Sequence, residues 1–179
     1  MIGLKRGTVK LIPHQDEWME NAERTIKVLW KILDSAVVDI QHIGSTSILS
    51  ICAKPIIDLV VGVRDLKDVL PYMELLEQHE IIFRGKHTPS QMLFVMGDFE
   101  KDTRTHHIHV VKWNEEEWNN YLNFRDYLNV NPEKARMYEE CKQRLEIEFS
   151  NDRNSYTQGK EELIRQILQE ASKWRAAKS

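Results

Sequence analysis

Over residues 17–33 the apolar positions are Trp18, Ala22, Ile26, Leu29, Trp30 and Leu33, the spacing of one face of a helix. A weakly alternating stretch at 8–12 predicts a short strand before it, and 13–16 a turn that caps the helix. The period then changes. Residues 36–43 and 56–63 are apolar runs rich in β-branched side chains, which predicts two buried strands. Between them, 44–53 is small, polar and irregular, with room for one helical turn. Lys54-Pro55 opens the second strand, where proline removes no ladder bond that is needed. Asp65 is placed to cap a helix to about residue 79, with Leu66, Val69, Leu70, Met73 and Leu76 as its apolar face. Strands are predicted at 81–84 and 92–95, with turns at 85–90 and 97–103. Over 105–113 the pattern alternates, His106, Ile108 and Val110 on one face and His107, His109 and Val111 on the other.

After Asn114 the strand signal stops. Helices are predicted from 115 to about 129, from Pro132 to about 149 behind an Asn131 cap, and over about 156–174, with a break at 151–155. The expected fold is α+β (mixed α/β): a core over 1–113 and a C-terminal helical subdomain over 114–179 packed on it, with Trp113, Trp118 and Tyr121 bridging the two.

Composition narrows the classes. The 179 residues fit one domain or a domain with a helical extension, and 41% apolar residues supply a core. Charged residues make up 30%, but the formal net charge is only -3, which argues against non-specific nucleic-acid binding. The two cysteines, Cys52 and Cys141, are far apart and in no metal-like spacing. No apolar run approaches the ~20 residues of a membrane span, so a cytoplasmic protein without membrane attachment is expected.

Chemistry concentrates at two places. Gly44-Ser45-Thr46 offers backbone N–H groups and hydroxyls suited to an anion, and Asp58 is a lone carboxylate in an apolar strand, where an unpaired charge is costly. Strand, Gly-Ser turn, short helix and acid-bearing strand is the core layout of the nucleotidyltransferase superfamily, whose turn holds phosphates and whose acids hold Mg²⁺. The usual second acid is replaced here by Val60; Asp39, Asp98 and Asp102 are the candidate substitutes. His107 and His109 share a strand face and are candidate ligands, with Asp58, for a divalent cation, or else His109 is a general base. The alternative for each is structural: an ion pair of Asp58 with Lys54 or an arginine, and histidines bonded to neighbouring backbone. In the helical half, Tyr138 and Lys142, and Tyr156 and Lys160, are spaced four apart, so each pair shares a helix face and is able, with Arg125, to line a pocket over the Gly-Ser turn.

The blocks HIGSTSI, KPIIDLVVGV, HHIHVV, FRDYL, NPEKARMYEECK and RNSYTQGKEELI resemble, in order and over about 8–172, the GrpB family. His42, Gly44, Ser45, Thr46, Lys54, Pro55, Asp58, His107, His109, Arg125, Asp126, Tyr138, Lys142, Tyr156 and Lys160 carry the likeness. It implies a minimal nucleotidyltransferase fold, and the family also occurs fused to dephospho-CoA kinase. The expected function is therefore a nucleotidyltransferase-like protein. Gly44, Ser45, Thr46, Lys54, Arg125, Lys142, Tyr156 and Lys160 would bind a nucleoside triphosphate, and Asp58, with His107 and His109, Mg²⁺ or Mn²⁺. Asp58 and His109 would serve transfer of a nucleotidyl group to an acceptor. The alternatives are a non-catalytic nucleotide- or phosphate-binding accessory module, for a partner such as a coenzyme A pathway kinase, and a metal-dependent phosphohydrolase using His107 and His109.

Overall fold

The computed structural model describes residues 1–178. In chain order the elements are β1 (Leu4–Lys5), α1 (Asp16–Leu33), β2 (Val37–Ile43), β3 (Ile57–Val63), α2 (Met73–Gln78), β4 (Ile82–Thr88), β5 (Gln91–Met96), β6 (Thr103–Arg104), β7 (His106–Lys112), α3 (Glu116–Val130), α4 (Pro132–Glu148), α5 (Arg153–Gly159) and α6 (Glu161–Ala176). Five strands form one mixed sheet in the order β2-β3-β7-β5-β4, in which only β3 and β7 run parallel; β1 and β6 form a separate two-stranded ribbon. The α+β class expected from the sequence is the one observed.

β3 lies inside the sheet with helices over both faces, which is why it is apolar on both sides. On one face Leu59, Val61 and Val63 pack with Ile40, Ile108 and Val110 under Trp18, Ala22, Leu29 and Leu33 of α1. On the other, Val60 packs with Ile43 and Val111 under Trp118 of α3. Asp58 lies on this second face too, two residues before Val60, with a side chain 28% exposed. A second cluster fixes the loop that follows the Gly-Ser turn: Ile48 and Ile51 are buried against Tyr127, Leu128, Ala135, Tyr138 and Ile167 of α3, α4 and α6.

Four local expectations are corrected. Residues 8–12 form no strand; Ile12 makes only an isolated bridge to Ala53, and the N–H groups of Val9 and Leu11 go to the Ser150 carbonyl and the Glu146 carboxylate of the helical half. The helix beginning at Asp65 is a tight 3₁₀ turn over Leu66–Tyr72 before it becomes α2, since Pro71 cannot donate to an α-helical ladder. β4 continues through the predicted turn at 85–88, with Gly85 at φ 104° taking up the irregular register between Phe83 and Lys86. The last helix is two, α5 and α6, meeting at Lys160.

Candidate functional site

Antiparallel pairing of β2 with β3 sets Ile43 opposite Asp58, so the turn that follows β2 folds back over the carboxylate. Gly44 has φ 71°, and a Cβ there would lie 2.9 Å from the Cβ of Asp58, so both the backbone and the space require glycine. Parallel pairing of β3 with β7 sets His107 beside Asp58 and His109 beside Val60. His107 Nδ1 lies 3.2 Å from Asp58 Oδ1 and donates to it. His107 Nε2 makes no hydrogen bond among the described residues and faces the cavity. His109 is held at both nitrogens. Its Nδ1 accepts from the Gln91 amide and lies 3.3 Å from the Tyr121 hydroxyl, so Nε2 carries the proton and points at Asp58 Oδ1 from 3.7 Å. Desolvation raises the Asp58 carboxyl, but hydrogen bonds from the two imidazoles outweigh it and hold the group below the usual carboxylate range. The general-base role expected of His109 therefore fits His107 better, since only His107 presents a nitrogen without a partner.

Beside this cluster lies a cavity of about 230 Å³ walled by Ser45, Asp58, His107 and four basic side chains, Lys54, Lys142, Arg153 and Lys160. The helical half supplies three of the four, and the three lysines lie against aromatic rings. Lys142 is over the Tyr138 ring, 4.8 Å from its centroid; Lys54 and Lys160 flank Tyr156 at 5.2 and 4.5 Å. None of the four makes an ion pair with a carboxylate among the described residues, so the Asp58–Lys54 pair held open by the sequence is not formed. Lys142, 1% exposed, donates to the Cys52 carbonyl. Burial, then its neighbouring lysines, pulls its ammonium down to about 7; burial and Lys160 pull Lys54 down to about 8. Burial raises the Tyr138 hydroxyl to about 12, so it is a donor at neutral pH. A second cavity of about 310 Å³, mostly apolar, adjoins the first across Gly44, Phe124 and Tyr138 and reaches Ile164 and Leu168.

The structure thus gathers Gly44, Ser45, Lys54, Asp58, His107, Lys142, Tyr156 and Lys160 at one cavity, with His109 behind Asp58. Two expected nucleotide ligands are placed elsewhere. Thr46 is fully buried and its hydroxyl bonds His42 Nε2 at 2.9 Å. Arg125 reaches Gln41, the His42 carbonyl and Asp126, away from the cavity. Both brace the turn. Arg153, Gln91 and Tyr121 escaped sequence reasoning. Arg153 lies at the predicted break after 151, where nothing in the local pattern marks it as facing the site.

The donors suit an Mg²⁺ ion poorly. Mg²⁺ takes oxygen ligands in octahedral array, and Asp58 supplies one carboxylate, already shared by two imidazoles. Val60 is fully buried under Trp118. Of the candidate substitutes, Asp39 bonds Gln41 and its own strand, Asp98 pairs with Lys101, and Asp102 with Arg6 and Arg104. Among the described residues no three His, Cys, Asp or Glu side chains are arranged to hold a metal ion. Nor is any described helix long and apolar enough to cross a membrane.

The family profile described as GrpB protein matches residues 8–170. The glutamate-rich protein GrpB of Alkalihalophilus pseudofirmus is 38% identical over 173 residues, covering 95% of this chain and 99% of its own. UPF0157 protein YqkA of Bacillus subtilis is 29% identical over 96% of this chain, which spans 49% of that longer protein. The crystal structure of the conserved protein GrpB from Enterococcus faecalis superposes with a TM-score of 0.86 at 29% identity, covering 93% of this chain and 99% of that one. Cid1, solved with its short product ApU, superposes with a TM-score of 0.55 at 13% identity, over 83% of this chain and 48% of Cid1; that likeness shows a shared nucleotidyltransferase fold and no more. The chain belongs to the GrpB family.

Proposed function

We propose that this GrpB-family protein binds a nucleoside triphosphate or a close relative. Its phosphates would lie among Ser45, Lys54, Lys142, Arg153 and Lys160, and its base in the adjoining apolar cavity, against Phe124 and Tyr138. The observation that carries this is the adjacency of two cavities that share Gly44, Phe124 and Tyr138 in their walls: four basic side chains around one, and a mostly apolar chamber of about 310 Å³ next to it. Cid1 crystals with a nucleotide product and with MgGTP lend the fold a precedent for such a ligand.

Nucleotidyl transfer is the reaction such a site would perform on a bound triphosphate. An acceptor hydroxyl oxygen attacks the α-phosphorus, the bond to pyrophosphate breaks, and His107 Nε2 takes the hydroxyl proton while Asp58 holds the ring by Nδ1–H. A divalent cation at Asp58 would stabilise charge on the phosphates, but the donor set gives it a poor seat. The second reading is a non-catalytic nucleotide-binding partner of another enzyme, such as a coenzyme A pathway kinase. The engagement of Asp58 by two imidazoles, with no second acid beside it, favours that reading over transfer.

A thermal-shift panel of nucleoside triphosphates separates these. At a hundredfold excess over Kd the melting temperature is expected to rise by roughly 5–10 °C. The rise should vanish in Gly44→Val, whose side chain would collide with Asp58. No rise with any nucleotide would overturn the proposal. Pyrophosphate release abolished by His107→Gln, with binding retained, would establish transfer; binding without release would establish the accessory role.

A further inference from the structure

The cationic cavity has the charge pattern of a site for phosphates that come without a metal ion. Lys54, Lys142, Arg153 and Lys160 wall it against one carboxylate, Asp58. None of the four basic groups makes an ion pair with a carboxylate among the described residues, and Lys142, 1% exposed, donates to a carbonyl and lies over a tyrosine ring, with Glu139 nearby but not in an ion pair with it. Buried cations are kept paired unless a ligand completes them. A metal-free triphosphate carries about four negative charges at neutral pH and its Mg²⁺ complex about two. Four basic side chains less one acid leave an excess of about three positive charges, cations enough to hold a phosphate chain without an ion. An added Mg²⁺ would bring two more positive charges among ammonium groups, with one carboxylate to receive it. We propose that the cavity takes a polyphosphate chain free of divalent metal, with the three lysines and Arg153 neutralising the phosphates in place of the ion. This rests on the nucleotide-binding proposal above and specifies the ionic form of its ligand.

The test is calorimetric titration of the whole chain with inorganic tripolyphosphate and with ATP, in chelator and in excess Mg²⁺. Affinity should be about tenfold higher in chelator. Lys160→Gln and Arg153→Gln, each confirmed as folded by its melting curve, should each weaken binding in chelator by about three- to tenfold. Asp58→Asn, which removes the opposing acid, should strengthen it. Affinity that is equal in the two conditions, or that appears only with Mg²⁺ and is lost in Asp58→Asn, would overturn the metal-free form and leave nucleotide binding standing. No binding in either condition would overturn both.

Discussion

His106 and His107 are neighbours in sequence and meet opposite surroundings, because successive side chains of β7 point to opposite faces of the sheet. His106 faces α1. It is 5% exposed and meets the Thr25 hydroxyl at 3.1 Å, and burial lowers its ring to about 4, so it is a neutral core residue. His42, 7% exposed and bonded to Thr46, is lowered to about 4 by the same cause. His107 faces the helical half, touches a carboxylate and opens onto a cavity of basic side chains. Residue type therefore says little about chemistry here. The cover over each face decides: α1 buries His42 and His106 on one side, while the cover of α3 ends between Val60 and Asp58, two residues apart on one strand.

The sharpest way to break that comparison is to ask the dry part of the second face to act as the wet part. Val60→Asp restores the acid pair of the usual nucleotidyltransferase pattern, yet puts the carboxylate at a fully buried position under Trp118. A loss of roughly 3–5 kcal/mol in urea unfolding is expected, as for an unpaired buried charge, with no gain in metal affinity. A stable variant that binds Mg²⁺ would show that the cover over Val60 yields. The closed face gives the next largest effect. His42 and His106 titrate near 4 when folded and near 6.5 when unfolded, so below pH 6.5 the unfolded chain takes up protons that the folded chain refuses. Their contribution is complete above pH 6.5 and is lost as the pH falls towards 4, at most about 3 kcal/mol for each histidine. Unfolding free energies measured between pH 7.5 and 4 should fall accordingly, and a flat profile would mean that these rings are not held neutral.

Much of this arrangement was legible in the chain. The apolar runs gave the two adjacent strands, Gly44 marked the turn, and alternation put His107 and His109 on one face with Asp58 in reach. Spacing of four paired Tyr138 with Lys142 and Tyr156 with Lys160, and the rings do meet the ammonium groups at 4.8 and 4.5 Å. What was hidden depends on contacts far apart in sequence. Arg125 resembles a phosphate ligand by type, and only the docking of α3 against β2 shows it spent on Gln41; Thr46 is spent closer by, on His42 four residues before it across the turn. Arg153 opens α5 behind the Asp152 cap and lines the cavity, a placement that no periodicity records. The histidine expected to act as base was His109, and only Gln91, eighteen residues away on β5, shows that its free nitrogen is taken.

The smallest expected effect is a proton count, and it bears on the open face alone. Lys142 is faced by Lys54 and Lys160, by Glu139 and Cys52, and by the Tyr138 ring; Lys54 is faced by Lys160, Arg153 and Asp58. Burial comes first and the neighbouring cations next in lowering Lys142 to about 7 and Lys54 to about 8, while Lys160 is lowered as well. A bound polyanion reverses the sign of the local field and raises all three, so binding must draw protons from solvent wherever the free site is incompletely charged. At pH 8 Lys142 is mostly neutral and Lys54 about half charged before binding, so calorimetry of tripolyphosphate in two buffers of different ionisation enthalpy should report uptake of about one proton. At pH 6 both lysines are already charged and the uptake should disappear. His106 and His42, across the sheet, touch no part of the cavity and should leave this count unchanged. Uptake that persists at pH 6 would show that the titrating groups are not these lysines.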